Sequence, residues 1–174
     1  MKNFLSDTWI IWYDKPNFEV KIENWDQFLI ELNSFNTIES FWNLLNNLLS
    51  LSNSEFQGSY HIFKKGIQPK WEDPRNINGG KWVLVLPSEN LREIKKLWEK
   101  TVSYLIGGGF GSKTTPQING IVGNIRFGQA KITLWTKVPE DNTFQILIGE
   151  KWKNLLLREN LNKIFSLNYF PHKN

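Results

Sequence analysis

Nine tryptophans and no cysteine in 174 residues constrain this chain more than any other feature. Indole is the bulkiest side chain, and its N–H needs an acceptor when buried. One or two usually suffice for a core of this size. A chain with nine either turns flat aromatic faces toward a ligand or has an unusually aromatic interior. Without cysteine there is no disulfide and no thiolate zinc site, which fits a reducing compartment. His61 and His172 are the only histidines and form no HExxH pattern, so neither a metal nor another cofactor is expected.

The length suits one domain, residues 1–174, with a substantial core. Apolar residues at 40% and charged residues at 22% indicate a globular chain. No apolar run approaches the ~18 residues of a membrane span, and MKNFLSDTW lacks the usual apolar stretch of ~7–15 residues that marks a secretion signal. A cytoplasmic monomer is the expectation. The net charge of +4 and a pI near 9.2 lean mildly toward anionic partners.

Periodicity divides the chain into strands and three helices. Trp9–Tyr13 and Asp26–Leu32 read as extended. Asn36 reads as a helix N-cap with Glu39 as its capping-box partner, opening a helix to about Leu51. Strands are expected at Ser59–Phe63 and Lys81–Leu86, the second ended by Pro87. Ser88 can cap a helix that buries Leu91, Ile94, Leu97, Trp98, Thr101, Val102 and Leu105 and stops at Gly107-Gly108-Gly109. Strands follow at Ile118–Phe127 and Lys131–Lys137. A third helix starts at Asp141 or Asn142 with Phe144, Leu147, Ile148, Trp152 and Leu155 at helical spacing, and a last strand covers Asn162–Phe170. Irregular mixing of strands and helices predicts an α+β fold, with an antiparallel sheet covered by helices on one face.

Few motifs survive inspection. GGGFGSKTT at Gly107–Thr115 has Ser112 where a phosphate loop needs glycine, and its glycines end a helix, so it reads as a connector. No nucleophile elbow or His–carboxylate grouping argues for an enzyme. Trp82, Trp98, Trp135 and Trp152 sit in apolar contexts that read as core, and Trp42, one turn from Ile38, reads the same way taken alone. Trp71 differs. Its neighbours Pro69, Lys70, Glu72, Asp73 and Pro74 are polar or rigid, and it lies in an irregular loop, Gln68–Asn78, where binding residues concentrate. A flat ring beside a carboxylate suits a flat, electron-poor ligand with donors on its edge, such as a nucleobase. Arg126 and Lys131 read equally as solvated strand residues or phosphate contacts.

Taken in register, these segments resemble the translation initiation factor 4E family, which binds the 7-methylguanosine cap of messenger RNA. Trp9 and Trp12 resemble its WxLW segment. Trp25 and Trp42 lie 17 positions apart, and the second ends FNTIESFW, similar to the family's FDTVEDFW helix. FKKGIQPKWED at Phe63–Asp73 resembles FKxGIxPxWED, and GGKWVLVL, LWEKTVSYLIG and GNIRFGQAKITLWT follow in order. The resemblance spans nearly the whole chain. It implies a curved antiparallel sheet with three helices on its convex face and the ligand on the concave side.

It also implies roles. Trp25 and Trp71 would sandwich the methylated purine, whose positive ring favours stacking and cation–π attraction, each on the order of 1–3 kcal/mol. The Glu72 carboxylate would accept from guanine N1–H and N2–H, a pairing that adenine cannot offer. Trp135 would lie against the methyl group. Arg126 and Lys131 would contact phosphates, with Lys81 assisting through water. Ile38 and Trp42 would receive a helical segment of a scaffold subunit or repressor.

Departures from the family accompany the match. Gly128 stands where relatives often carry a lysine, and Asn3-Phe4 replaces His-Pro. Glu99, Lys100 and Ser103 replace Leu, Glu and Leu on the partner-facing side. The chain ends at Asn174 without the family's long C-terminal loop. The expected function is recruitment of capped messenger RNA to the initiation machinery by a binding module with no catalytic residues. The alternatives are a cap-binding repressor and an aromatic-platform carbohydrate-binding module.

Overall fold

The computed structural model describes residues 2–14, 28–47, 58–86, 91–126, 129–158 and 166–172. Seven strands form one sheet: β1 (Phe4–Asp14), β2 (Leu29–Thr37), β3 (Gly58–Lys64), β4 (Gly80–Leu86), β5 (Ile118–Arg126), β6 (Gln129–Thr136) and β7 (Ser166–Pro171). Three helices, α1 (Ile38–Asn47), α2 (Leu91–Ile106) and α3 (Thr143–Leu157), complete it. The strand order is β2-β1-β3-β5-β6-β4-β7, and every neighbouring pair is antiparallel. The sheet is open and curved, as the resemblance implies.

Alternation along the strands sorts residues between its two faces. One cross-strand row runs Ile11, Ile62, Ile121, Leu134. These residues share a single buried cluster with Phe41 and Leu45 of α1, Leu97 and Trp98 of α2, and Ile148 and Trp152 of α3. All three helices therefore pack on that face. The described α2 positions expected inside, from Ile94 to Leu105, are all buried.

Two indoles on this face have acceptors on neighbouring elements. Trp152 Nε1 donates to Thr101 Oγ1 at 3.1 Å, and Trp82 Nε1 donates to Gln145 Oε1 at 3.0 Å. Gln145 in turn donates to Thr136 Oγ1 at 2.7 Å and to the Val138 carbonyl at 3.0 Å. Gly149 makes room, because a Cβ there would meet the Trp82 ring at 2.4 Å.

Helix starts differ in part from the sequence reading. Asn142 caps α3 as expected, accepting from the Phe144 N–H at 2.9 Å. Asn36 does not cap α1, because β2 continues through Thr37. Thr37 Oγ1 accepts from the Ser40 N–H at 3.2 Å, and Ser40 Oγ accepts from the Thr37 N–H at 3.3 Å. This reciprocal pair sits one residue later, with serine in the role expected of Glu39. Glu39 instead accepts from Asn3 Nδ2 at 2.8 Å, and Asn3 accepts the Ile38 N–H at 2.9 Å. The residue that replaces the family histidine thus ties the chain start to α1.

β1 begins at Phe4 rather than Trp9, and β2 (Leu29–Thr37) runs beyond the Leu32 expected, while Asp26 lies outside the described residues. On α3, Leu147 is exposed, and Leu156 lies inside with Ile148 and Trp152. Ser88, the end of the first helix near Leu51, Phe127 and residues 162–165 lie outside the described residues.

Candidate functional site

The face away from the helices carries a different set of side chains. One cross-strand row runs Phe63, Gly120, Trp135, Lys81, Phe170. The next runs Trp12, His61, Val122, Thr133, Val83, Asn168. A third runs Asp14, Ser59, Asn124, Lys131, Val85. Gly120 matters in the first row, because a Cβ there would meet the Phe63 ring at 2.5 Å. Its absence lets Phe63 reach Trp135 edge to face at 5.5 Å. His172 packs on Trp135 with ring centroids 4.4 Å apart, and the Lys81 ammonium lies 5.8 Å from the Trp135 ring.

The loop between β3 and β4 carries Trp71 and is locked by its own polar side chains. Asp73 accepts the Gln68 N–H at 2.9 Å and the Arg75 N–H at 2.8 Å. Asn76, fully buried, donates to the carbonyls of Gln68 and Lys70 at 2.9 and 2.8 Å. Asn119 of β5 donates to the Arg75 carbonyl and to Asn76 Oδ1, each at 2.8 Å. Gly66, at φ 84°, takes the left-handed turn that starts the loop.

Held this way, Trp71 is 47% exposed. Glu72 is exposed beside it and forms no hydrogen bond or ion pair with the described residues. The two adjacent carboxylates thus divide the work. Asp73 shapes the loop, and Glu72 is left facing solvent.

Trp71 and the sheet enclose a cleft of about 420 Å³, lined among others by His61, Pro69, Lys81, Lys131 and Trp135. It continues over β4 to Asn168 and Phe170. Burial, and then the nearby Lys131 charge, push the Lys81 ammonium below the usual lysine range. An anion placed between the two lysines would offset the desolvation of Lys81 and the repulsion between them. A larger cleft of about 590 Å³ lies on the other side of the loop, against Lys64, Arg75 and Lys137, but contains neither Trp71 nor Trp135.

Of the residues singled out in the sequence, Trp71, Lys81, Lys131 and Trp135 line this one cleft, with Glu72 on its rim loop. Arg126 ends β5, paired with Gln129; its side chain lies outside the described residues, as do Trp25 and Gly128. Trp135 corrects the core reading in part: it packs against a small core cluster of Phe63, Ile67 and Val122, but it is only half-buried and lines the cleft on the face away from the helices. Trp42 also corrects it. Trp42 is 47% and Ile38 43% exposed, one turn apart on the outer surface of α1. Glu99 and Ser103 of α2 are half-buried, while Lys100 is exposed. Among the described residues no group of three or more metal-ligating side chains occurs.

Sequence reasoning missed one polar group on the cleft floor. His61 Nε2 lies 2.7 Å from Asp14 Oδ2, and both side chains are buried. Strand alternation places Asp14 and Trp12 on one face, and that was the signal available in the sequence.

Fold and cleft together describe an aromatic and cationic cleft on an open α+β sheet. The chain belongs to the eukaryotic initiation factor 4E family, whose model matches residues 4–174. It is 36% identical over 172 residues to the eukaryotic translation initiation factor 4E of Saccharomyces cerevisiae, covering 99% of this chain and 78% of that one. It is 32% identical over 161 residues to the isoform 4E factor of Nicotiana tabacum, covering 92% and 78%.

Among solved structures, Ascaris suum eIF4E-3 in complex with an m2,2,7G cap matches at TM-score 0.87 and 29% identity, covering 99% of this chain and 93% of that one. C. elegans eIF4E-3 bound to the 4E-binding protein Mextli matches at TM-score 0.87 and 28% identity, covering 99% and 95%.

Proposed function

We propose that this chain binds the 7-methylguanosine cap of messenger RNA and recruits capped messages to the cytoplasmic initiation machinery, as a single-domain monomer without catalytic activity. The observation that carries this reading is the locked loop that holds Trp71 and Glu72 exposed over a cleft floored by Trp135 and lined by Lys81 and Lys131. Trp71 stacks on one face of the methylated base, and Trp25 closes on the other. Glu72 takes the guanine N1–H and N2–H. Trp135 meets the methyl group, and Arg126 and Lys131 take the phosphates with Lys81 behind them. The loop is pre-set, so little ordering cost is charged against binding.

Relatives support the reading. A solved Ascaris suum structure of this family holds an m7G cap and matches at TM-score 0.81 and 30% identity. The exposed Ile38–Trp42 pair on α1 offers two anchors at the spacing a helical partner segment uses. A second reading, a cap-binding repressor, is favoured by one observation. Glu99 and Ser103 place polar groups on α2 where the family carries leucines, and Lys100 reverses the charge of the family's glutamate. A pull-down with the scaffold subunit separates the two.

Tryptophan fluorescence quenching by 7-methylguanosine triphosphate against plain guanosine triphosphate tests the core claim. The methylated ligand should bind more tightly, and Trp25→Ala and Trp71→Ala should each abolish the difference. Equal binding of the two nucleotides, or unaltered affinity in both variants, refutes it.

A further inference from the structure

We infer that His61, oriented by Asp14, is a hydrogen-bond acceptor for a ribose hydroxyl of the bound nucleotide, so that the cleft reads the sugar as well as the base. This rests on the cap-binding reading and adds a contact to it. The position follows from connectivity. The base belongs at Trp71 and the phosphates at Lys131, and in any nucleotide the sugar joins the two. The strand rows run in that order. Trp135 and Lys81 lie in one row, His61, Val122 and Thr133 in the next, and Asn124 and Lys131 in the third. Each step is two residues, roughly 6–7 Å along a strand. His61 lies in the middle row on β3, two strands from β6, and it lines the same cleft as Trp71 and Lys131.

The chemistry follows from a buried network. Asn124 Nδ2 donates to Ser59 Oγ at 2.6 Å, Ser59 Oγ donates to Asp14 Oδ1 at 3.4 Å, and Asp14 Oδ2 lies 2.7 Å from His61 Nε2. An ionised carboxylate only accepts, so Nε2 carries the proton and donates to Asp14. In the neutral ring that leaves Nδ1 as an acceptor. Nδ1 is buried with no partner among the described residues, on a side chain only 6% exposed as a residue. A buried acceptor without a donor is a cost that a ligand hydroxyl removes. His61 lines the cleft wall together with Trp71 and Lys131, so a ligand filling the cleft packs against this side chain. Asp14 is a positioning residue and His61 the contact.

The test compares 7-methylguanosine triphosphate with its 2′-deoxy and 3′-deoxy forms by fluorescence titration. Wild-type protein should bind one deoxy form about 3- to 10-fold more weakly, the worth of one neutral hydrogen bond. His61→Phe should bring that ratio to about one. His61→Asn, whose amide overlies Nδ1, should keep more of the preference than His61→Gln, whose amide overlies Nε2. That pair of variants decides the matter should the Phe variant fail to fold, as thermal unfolding would reveal. Equal affinity for the ribose and both deoxy ligands, or a ratio untouched by His61→Phe, overturns the inference while leaving cap binding intact. Failure of every methylated ligand to bind would instead remove the reading beneath it.

Discussion

The two faces of the sheet use the same residue type for opposite purposes. On the helix face, Trp9, Trp98 and Trp152 are at most 2% exposed. The indole N–H groups of Trp152 and Trp82 there have acceptors on neighbouring elements. On the other face, Trp71 is half-exposed, Trp135 is partly open, and Trp12 Nε1, His61 Nδ1 and His172 Nε2 are buried without partners among the described residues. Native cores satisfy their polar groups, and clusters of exceptions ask for an explanation. The helix-face row leaves one such group among the described residues, the Tyr169 hydroxyl beside Trp82, and is otherwise closed by the protein's own contacts. The cleft face keeps unmet hydrogen-bonding capacity, two lysines and open aromatic rings, which is the inventory of a surface completed by a polar, anionic, flat ligand.

The largest effect should come from breaking the finished face. Trp152→Ala removes a fully buried indole and orphans Thr101, and should cost about 3–5 kcal/mol of stability by denaturant unfolding. Trp71→Ala should leave the unfolding midpoint within experimental error, because its ring is half in water, and should weaken binding of 7-methylguanosine triphosphate by about 10- to 100-fold. A Trp71→Ala protein that loses stability as Trp152→Ala does would dissolve the distinction between the faces.

Asn76→Ala lies between these extremes. It removes the donor to the Gln68 and Lys70 carbonyls and the acceptor for Asn119, all behind the Trp71 loop. Stability should fall by about 1–3 kcal/mol, and affinity should fall with it because the loop is no longer pre-set. Affinity unchanged in a destabilised Asn76→Ala protein would mean that loop rigidity plays no part in binding.

The helix face was legible in the sequence because periodicity reports burial directly. Ile94, Leu97, Trp98, Thr101, Val102 and Leu105 repeat with the helical period, and all are inside. The same logic misread Trp42 and Trp135. Helical spacing after Ile38 and an apolar strand around Trp135 say only that a residue lies on an apolar face, not whether the protein covers that face. The loop residues Trp71 and Glu72 stood out because their neighbours are polar and rigid. Asp73 and Asn76 did not, because their role lies in backbone contacts that only the folded loop creates. The Asp14–His61 pair was invisible for a related reason. Its partners are 47 positions apart, and strand register alone brings them together.

The smallest expected effect sharpens the comparison at the edge of the cleft. Burial, and then the Lys81 charge, lower His172 from its ordinary value to about 4. The folded state thus holds this ring neutral where the unfolded chain, titrating near 6.5, takes up a proton. The contribution to stability is complete above the unfolded value and is lost as pH falls from about 6.5 to about 4. His172 is partly exposed, so solvent screening discounts the effect to on the order of 1 kcal/mol. Unfolding midpoints of wild-type and His172→Gln proteins should run parallel above pH 7, and the wild type should lose more stability between pH 6 and 4. The Lys81 charge is part of the cause, so a bound triphosphate near Lys81 should raise the His172 value toward normal, which a titration of the ring signal with and without ligand would detect. A ring that titrates alike in both states would place the phosphates away from Lys81, and the division between a finished face and a ligand-completed one would then need a different boundary.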